Sequence, residues 1–133
     1  MSIACITGVT SFHGGHIARE LVKEGYEVHG ILRHVANRDF KIDGVTMHKG
    51  DVRDYETTSA IVHDIEPNIV VHLAAQSPVE YSFTHEKEIM DTNYLGTYNM
   101  AKSCMVNPEL TKFILASSIE TYGNQPTLPL QEY

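Results

Sequence analysis

The stretch of this 133-residue sequence best suited to chemistry is Thr7-Gly8-Val9-Thr10-Ser11-Phe12-His13-Gly14-Gly15-His16-Ile17. A short apolar run, Ile3 to Thr7, enters it, and residues at helical spacing leave it. Glycine at such a junction lets the chain turn sharply and lets backbone N–H groups approach an anion closely. The positive end of the following helix adds to that attraction. Gly8, Ser11, Phe12, His13 and Gly14 are therefore the expected cradle for the pyrophosphate of a dinucleotide. His13 and His16 are three apart, but no Cys or Asp in the loop completes a metal set, so they are read as solvated and no metal site is expected. A second feature is Arg33. In dinucleotide folds an acid at the end of the second strand binds a ribose 2′-hydroxyl, whereas a base there suits a 2′-phosphate. Here the acid's position holds Leu32 and Arg33 follows at once, so NADP is expected over NAD, with NAD as the alternative.

The elements that must position these residues alternate along the chain. Strand-like runs are expected at Ile3–Thr7, Tyr26–Leu32, Val45–His48, Ile69–Leu73 and Phe113–Ala116. Helical spacing is expected from Gly14, over Ile17, Leu21 and Val22 with Gly25 as a stop, then over Tyr55–Ile65 and Glu86–Val106. Asn107-Pro108 ends the last of these, since the residue before proline disfavours helix. Polar loops are centred on Asn37-Arg38-Asp39 and Asp43-Gly44, and the tail after Gly123 has loop composition. Near-continuous apolar strands alternating with helices predict an α/β fold with a doubly wound parallel sheet of order 3-2-1-4-5. Ligands of such sheets bind beyond the carboxyl ends of the strands, where strands 1 and 4 diverge. Every feature singled out here falls at such an end.

Taken with further segments, the loop resembles a known family. Its glycine spacing is similar to the TGxxGxxG fingerprint of extended short-chain dehydrogenase/reductases, with Ser11 in place of the middle glycine. A Cβ there crowds the pyrophosphate side, while the hydroxyl can donate to a phosphate oxygen. His72-Leu73-Ala74-Ala75-Gln76-Ser77-Pro78-Val79-Glu80-Tyr81-Ser82, Asn93-Tyr94-Leu95-Gly96-Thr97 and Ser117-Ser118-Ile119-Glu120-Thr121-Tyr122-Gly123 resemble, in order, further segments of the NAD-dependent epimerase/dehydratase family. The GDP-mannose 4,6-dehydratase-like branch fits best. The resemblance covers essentially the whole chain and implies a Rossmann-like domain over residues 1–133. It implies that Asp51 and Val52 hold the adenine, that Leu73, Ala74, Ala75, Asn93 and Ala116 lie against the cofactor, and that Ser77 and Ser82 face a sugar. Ser118 then assists oxidation of the sugar's 4-hydroxyl, and Glu120 is the base that takes the C5 proton of the transient 4-keto sugar. Gly96, inside a helix at a cost of about 1 kcal/mol, is expected to pack closely against the sheet.

The same family uses a YxxxK pair that lies beyond the Ser118 position. Tyr133 is a poor substitute, and Tyr98 with Lys102 has the right offset on the wrong helix. The expectation is therefore an incomplete domain lacking the later strands and the substrate-binding part. Three roles stay open: part of a longer or split nucleotide-sugar enzyme, a non-catalytic NADP(H)-binding or sensor module, or an interaction protein reusing the fold. A homodimer, or a complementing chain that supplies the missing half, is the expected macromolecular partner. With ten Lys and Arg scattered along a chain of net charge −7, nucleic acid and anionic membrane surfaces are not expected partners. No apolar run reaches the roughly 20 residues needed to span a bilayer. The opening residues do not form a signal peptide. Cys5 and Cys104 are expected as packed, reduced thiols, and the location as cytoplasmic.

Overall fold

The computed structural model describes residues 1–33, 41–124, 126 and 128–130. The expected loop around Asn37-Arg38-Asp39, and Gln131, Glu132 and Tyr133 of the tail, lie outside the described residues. Five strands, β1 (Ile3–Thr7), β2 (Glu27–Leu32), β3 (Val45–Lys49), β4 (Ile69–His72) and β5 (Lys112–Leu115), form a parallel sheet of order β3-β2-β1-β4-β5. This is the doubly wound arrangement that the alternation of strand and helix spacing predicts. Strand ends differ from expectation by a residue or so, and the helix α2 (Tyr55–Ile65) has the expected bounds.

Successive strand residues point to opposite faces, so each strand feeds two cores. On one face Ile6, Val28, Leu32 and Val71 pack with Ala18, Ile17, Leu21 and Val22 of the helix α1 (Phe12–Lys23). On the other, Cys5, Ile31 and Val70 pack with Val62 and Ile65 of α2 and with Met100 and Cys104 of a third long helix. Each fully buried aliphatic side chain contributes about 1.5–3 kcal/mol, and here both faces of the central strands draw on it.

The region expected as one helix from Glu86 is helical to Met105 but not uniform. It comprises a short α-turn, a π segment at Met90–Leu95 and a regular helix at Gly96–Met105. In chain order the remaining helices are thus α3 (Val79–Ser82), which the sequence did not announce, α4 (Glu86–Ile89) and α5 (Gly96–Met105). The π turn is marked by the Gly96 N–H donating to Asp91 five residues back. A Cβ on Gly96 would lie 2.6 Å from Cγ2 of Val52. Close packing at Gly96 is therefore real, but its neighbour is the segment after β3 rather than a strand. Among the described residues β5 pairs only with β4, which leaves it as a sheet edge with Ile114 and Leu115 exposed.

Candidate nucleotide-binding cleft

The loop after β1 is built on two glycines at positions that oppose a side chain. Gly8 has φ +69° and sits against the backbone of Leu73 and Ala74. A Cβ on Gly14 would lie 2.3 Å from the Gly8 carbonyl oxygen, so α1 can start tight against the turn only if that position is bare. The helix begins at Phe12, two residues ahead of the expected start, because Ser11 is its N-cap: its Oγ accepts from the Gly14 N–H at 3.1 Å. The Ser11 N–H is used on Gly8 and the Gly15 N–H on Ser11. The N–H groups of Phe12 and His13 find no acceptor among the described residues and remain for an anion. The Ser11 hydroxyl proton is likewise unspent, since the oxygen acts as acceptor in the cap.

Two cavities meet beyond the carboxyl ends of β1 and β4. One, of about 260 Å³, is lined by Gly8, Thr10, Ser11, Leu32, Arg33, Asp51, Val52 and Thr92 among others. The second, of about 660 Å³, runs along Asn93, Tyr94, Thr97 and Tyr98 to Leu115, Ala116, Ser117 and Ser118. Leu73, Ala74, Ala75 and Gln76 line both, so the two adjoin along that segment and make a cleft in two parts from Arg33 to Ser118. Its length and its turn of free N–H groups suit an extended dinucleotide. Thr92 is buried in the smaller cavity's wall, and its Oγ1, closed off from the cavity, has no hydrogen-bond partner among the described residues.

The cleft floor is held by a chain of hydrogen bonds around His72. Thr97 Oγ1 donates to the Asn93 carbonyl at 2.7 Å, so it accepts from His72 Nε2 at 3.1 Å. His72 Nδ1 must then accept from Thr7 Oγ1 at 2.7 Å, leaving that oxygen to accept from the N–H groups of Leu73 and Ala74. The tautomer follows from this accounting. Burial pushes the imidazole down to about 4, so it is neutral in the folded chain. Asn93 clamps the same segment, accepting from Gln76 N–H at 2.8 Å and donating to its carbonyl at 2.9 Å. Both ends of its amide are thereby engaged with backbone, and the residue positions the wall. Asn99, buried, donates to the carbonyls of Val52 and Arg53 and fixes the opposite wall.

At the far rim the charged groups are paired among themselves. Asp51 accepts from Arg53 through both oxygens at 3.0 Å from Nε. Those bonds hold its carboxyl below the usual range. Arg33 Nη1 lies 3.5 Å from Glu88 Oε1, and the Tyr81 hydroxyl donates to Glu88 Oε2 at 2.6 Å.

A family model described as GDP-mannose 4,6 dehydratase matches residues 5–133. This chain belongs to the GDP-mannose 4,6-dehydratase family. The human GDP-mannose 4,6 dehydratase is 32% identical over 98% of this chain, a match that spans 39% of the human protein. The chain therefore covers about two fifths of the length of such relatives. Among solved structures, a Thermus thermophilus UDP-glucose 4-epimerase in complex with NAD has 29% identity and a TM-score of 0.71, covering 77% of this chain and 33% of that one. An epimerase from Methanothermobacter thermautotrophicus, at 21% identity, shares the fold with a TM-score of 0.85 over 98% of this chain and 39% of its own.

In this member of the dehydratase family, the cleft brings together most residues that the sequence singled out. Gly8, Ser11, Arg33, Asp51, Val52, Leu73, Ala74, Ala75, Ser77, Asn93, Ala116 and Ser118 all line it. Phe12 and His13 offer their backbone, while the Phe12 ring is turned outward against His13 and His16. No group of His, Cys, Asp and Glu able to hold a metal occurs among the described residues. Phe12, His13 and Gly14 adjoin the lining without belonging to it, and Ser82 and Glu120 also stand outside it. Ser82 spends its hydroxyl on the Val79 carbonyl within α3. Glu120 sits exposed on a 3-10 turn, Ile119–Tyr122, capped by Ser118 Oγ, which accepts the Glu120 N–H at 3.2 Å. Tyr98 lines the larger cavity, but Lys102 places its ammonium over the ring of Tyr55, 4.4 Å from the centroid, and 6.0 Å from that of Tyr98. The sequence reading missed Thr7, His72, Thr92, Thr97 and Asn99. Buried polar residues beside strand ends were the available signal, and only their partners give it meaning.

Proposed function

We propose that this chain is the dinucleotide-binding part of a nucleotide-sugar 4,6-dehydratase-type oxidoreductase that uses NADP(H). The observation that carries the reading is the pair of adjoining cavities that runs from Arg33 past Ser11 to Ser118, with the free N–H groups of Phe12 and His13 next to Ser11 at the start of α1. The family match over residues 5–133 supports the nucleotide-sugar class. In this reading Phe12 and His13 N–H and the Ser11 hydroxyl hold the pyrophosphate. Asp51 takes the adenine amino group beside Val52 by giving up part of its hydrogen bonding to Arg53, and Arg33 takes the 2′-phosphate. The bound nicotinamide supplies a hydride acceptor and donor. Ser118 hydrogen-bonds the sugar's 4-hydroxyl from the end of β5. Glu120, one turn on, removes the C5 proton that the neighbouring 4-keto group acidifies, and water then leaves C6. Ser77 faces the sugar from the opposite wall, and Ser82 does so only after releasing Val79. The proton acceptor for the 4-hydroxyl and the sugar-nucleotide pocket belong to the part of the family's length beyond this chain, whether in a longer chain or a complementing one.

Isothermal titration with NADPH and NADH tests the cofactor. NADPH is expected to bind more tightly, and Arg33→Ala to remove the preference. A preference for NADH overturns the Arg33 assignment, and no heat with either makes this an interaction protein that reuses the fold. Catalysis is tested in a protein carrying the family's full length. Glu120→Gln should abolish solvent deuterium incorporation at C5 with GDP-mannose, and undiminished incorporation removes Glu120 from the role.

A further inference from the structure

Arg33 and Glu88 reach each other across the rim of the cleft. Arg33 lines the smaller cavity, yet its Nη1 lies 3.5 Å from Glu88 Oε1 on α4, a residue that does not line that cavity. Glu88 is not a loose surface carboxylate. The Tyr81 hydroxyl on α3 donates to its other oxygen at 2.6 Å, and the Tyr81 ring is stacked on His85 with centroids 3.8 Å apart, which fixes the phenol. The carboxyl is held below its usual range by the Tyr81 hydrogen bond and by the positive charge of Arg33 and Arg53, so it stays charged at neutral pH.

We infer that Glu88 is a specificity-determining counter-charge, set by Tyr81 against Arg33, that competes with a 2′-phosphate and moderates the chain's selectivity for NADP(H) over NAD(H). This rests on the reading of Arg33 given above. A 2′-phosphate that engages the guanidinium fork must displace the carboxylate or share the arginine with it, and it meets a second anion beside its own charge. A ligand with a free 2′-hydroxyl does neither, so Glu88 acts on one cofactor and leaves the other alone. Tyr81 is a positioning residue in this arrangement, and Glu88 lines neither of the two cavities. The rim carries the selection, and the cradle carries the affinity common to both cofactors.

The test is titration of the full chain and of Glu88→Gln, Arg33→Ala and the double variant. The probes are adenosine 2′,5′-bisphosphate and 5′-AMP, with circular dichroism confirming the fold of each protein. Releasing a half-exposed ion pair corresponds to about a fivefold change in affinity. Glu88→Gln should therefore bind the bisphosphate about fivefold more tightly with 5′-AMP unchanged. The gain should shrink at high salt and be smaller in the Arg33→Ala background, where only the direct repulsion remains. Tyr81→Phe should shift selectivity the same way by less. If Arg33→Ala weakens bisphosphate binding but Glu88→Gln leaves selectivity unchanged, the counter-charge role is overturned and the Arg33 assignment stands. If Arg33→Ala leaves bisphosphate binding unchanged, the Arg33 assignment fails and takes this inference with it. Equal strengthening of both probes by Glu88→Gln also overturns the inference, because it marks a general rather than a 2′-specific effect.

Discussion

His72 shows how a single buried group ties the cleft to solution conditions. Its imidazole is neutral between Thr7 and Thr97, and burial pushes it down to about 4 from the ordinary 6.5. Between those values an unfolded chain binds a proton that the folded chain refuses. Stability should therefore fall as pH drops through 6.5 and level off near 4, by about 3 kcal/mol in total from this group. His48, lowered by burial and by its neighbour His29, adds to the fall in the same direction. Urea unfolding at pH 7.5, 6 and 5 should show the slope. His72→Gln, which keeps a donor and an acceptor, should flatten part of it, and an unaltered slope in the variant would refute the assignment. Ser11 offers a second check. Ser11→Ala removes the cap of α1 and should cost about 1 kcal/mol, whereas Ser11→Gly should cost only a few tenths. With the hydroxyl donating to the pyrophosphate, the glycine variant should bind NADPH more weakly than the native chain in titration; equal or tighter binding would show that the Ser11 Cβ crowds the site and its hydroxyl contributes nothing.

The elements matter through how closely they can approach. α1 starts at Phe12 because Ser11 caps it, and it lies against the turn because Gly14 has no side chain. Gly14→Ala should cost about 1–3 kcal/mol, since backbone rather than a pliable side chain opposes the new methyl. It should also abolish NADPH binding by displacing the helix end, as chemical denaturation and titration would report; binding retained at native strength would show that the turn tolerates the shift. The π segment works similarly. It carries Asn93 to the Gln76 backbone and Thr92 into the smaller cavity, while Gly96 admits Val52. Helical periodicity announced a helix over this span, but the extra residue in one turn leaves no mark in the pattern of apolar positions.

At the scale of the whole molecule, two cores of different composition share one sheet. The thiols of Cys5 and Cys104 belong to the core under α2 and α5, where burial pushes them up to about 12 and about 11. Neither should react with Ellman's reagent in the native state at pH 8, and both should react once denaturant opens the fold, because only the thiolate attacks. Rapid reaction in native buffer would show that this core opens locally. The family's greater length bears on β5, whose Ile114 and Leu115 are 44% and 48% exposed at an edge that is unpaired among the described residues. Bare apolar edges invite pairing with further strands. No helix of the described residues is long and apolar enough to cross a membrane.

The sequence by itself determined the strand and helix alternation, the order of the sheet, the glycine turn after β1 and the family. All of these are written in local spacing: Gly8 and Gly14 about a turn, Ile17, Leu21 and Val22 on a helix face, Ser118 at a strand end. Only the tertiary structure decided which polar groups meet. The neutral state of His72, the clamp of Asn93 on Gln76, the unsatisfied Thr92 hydroxyl and the pairing of Arg33 with Glu88 join residues far apart along the chain. A hydrogen bond or an ion pair depends on distance and direction in space, and spacing along a sequence encodes neither until the sheet has brought its strand ends together.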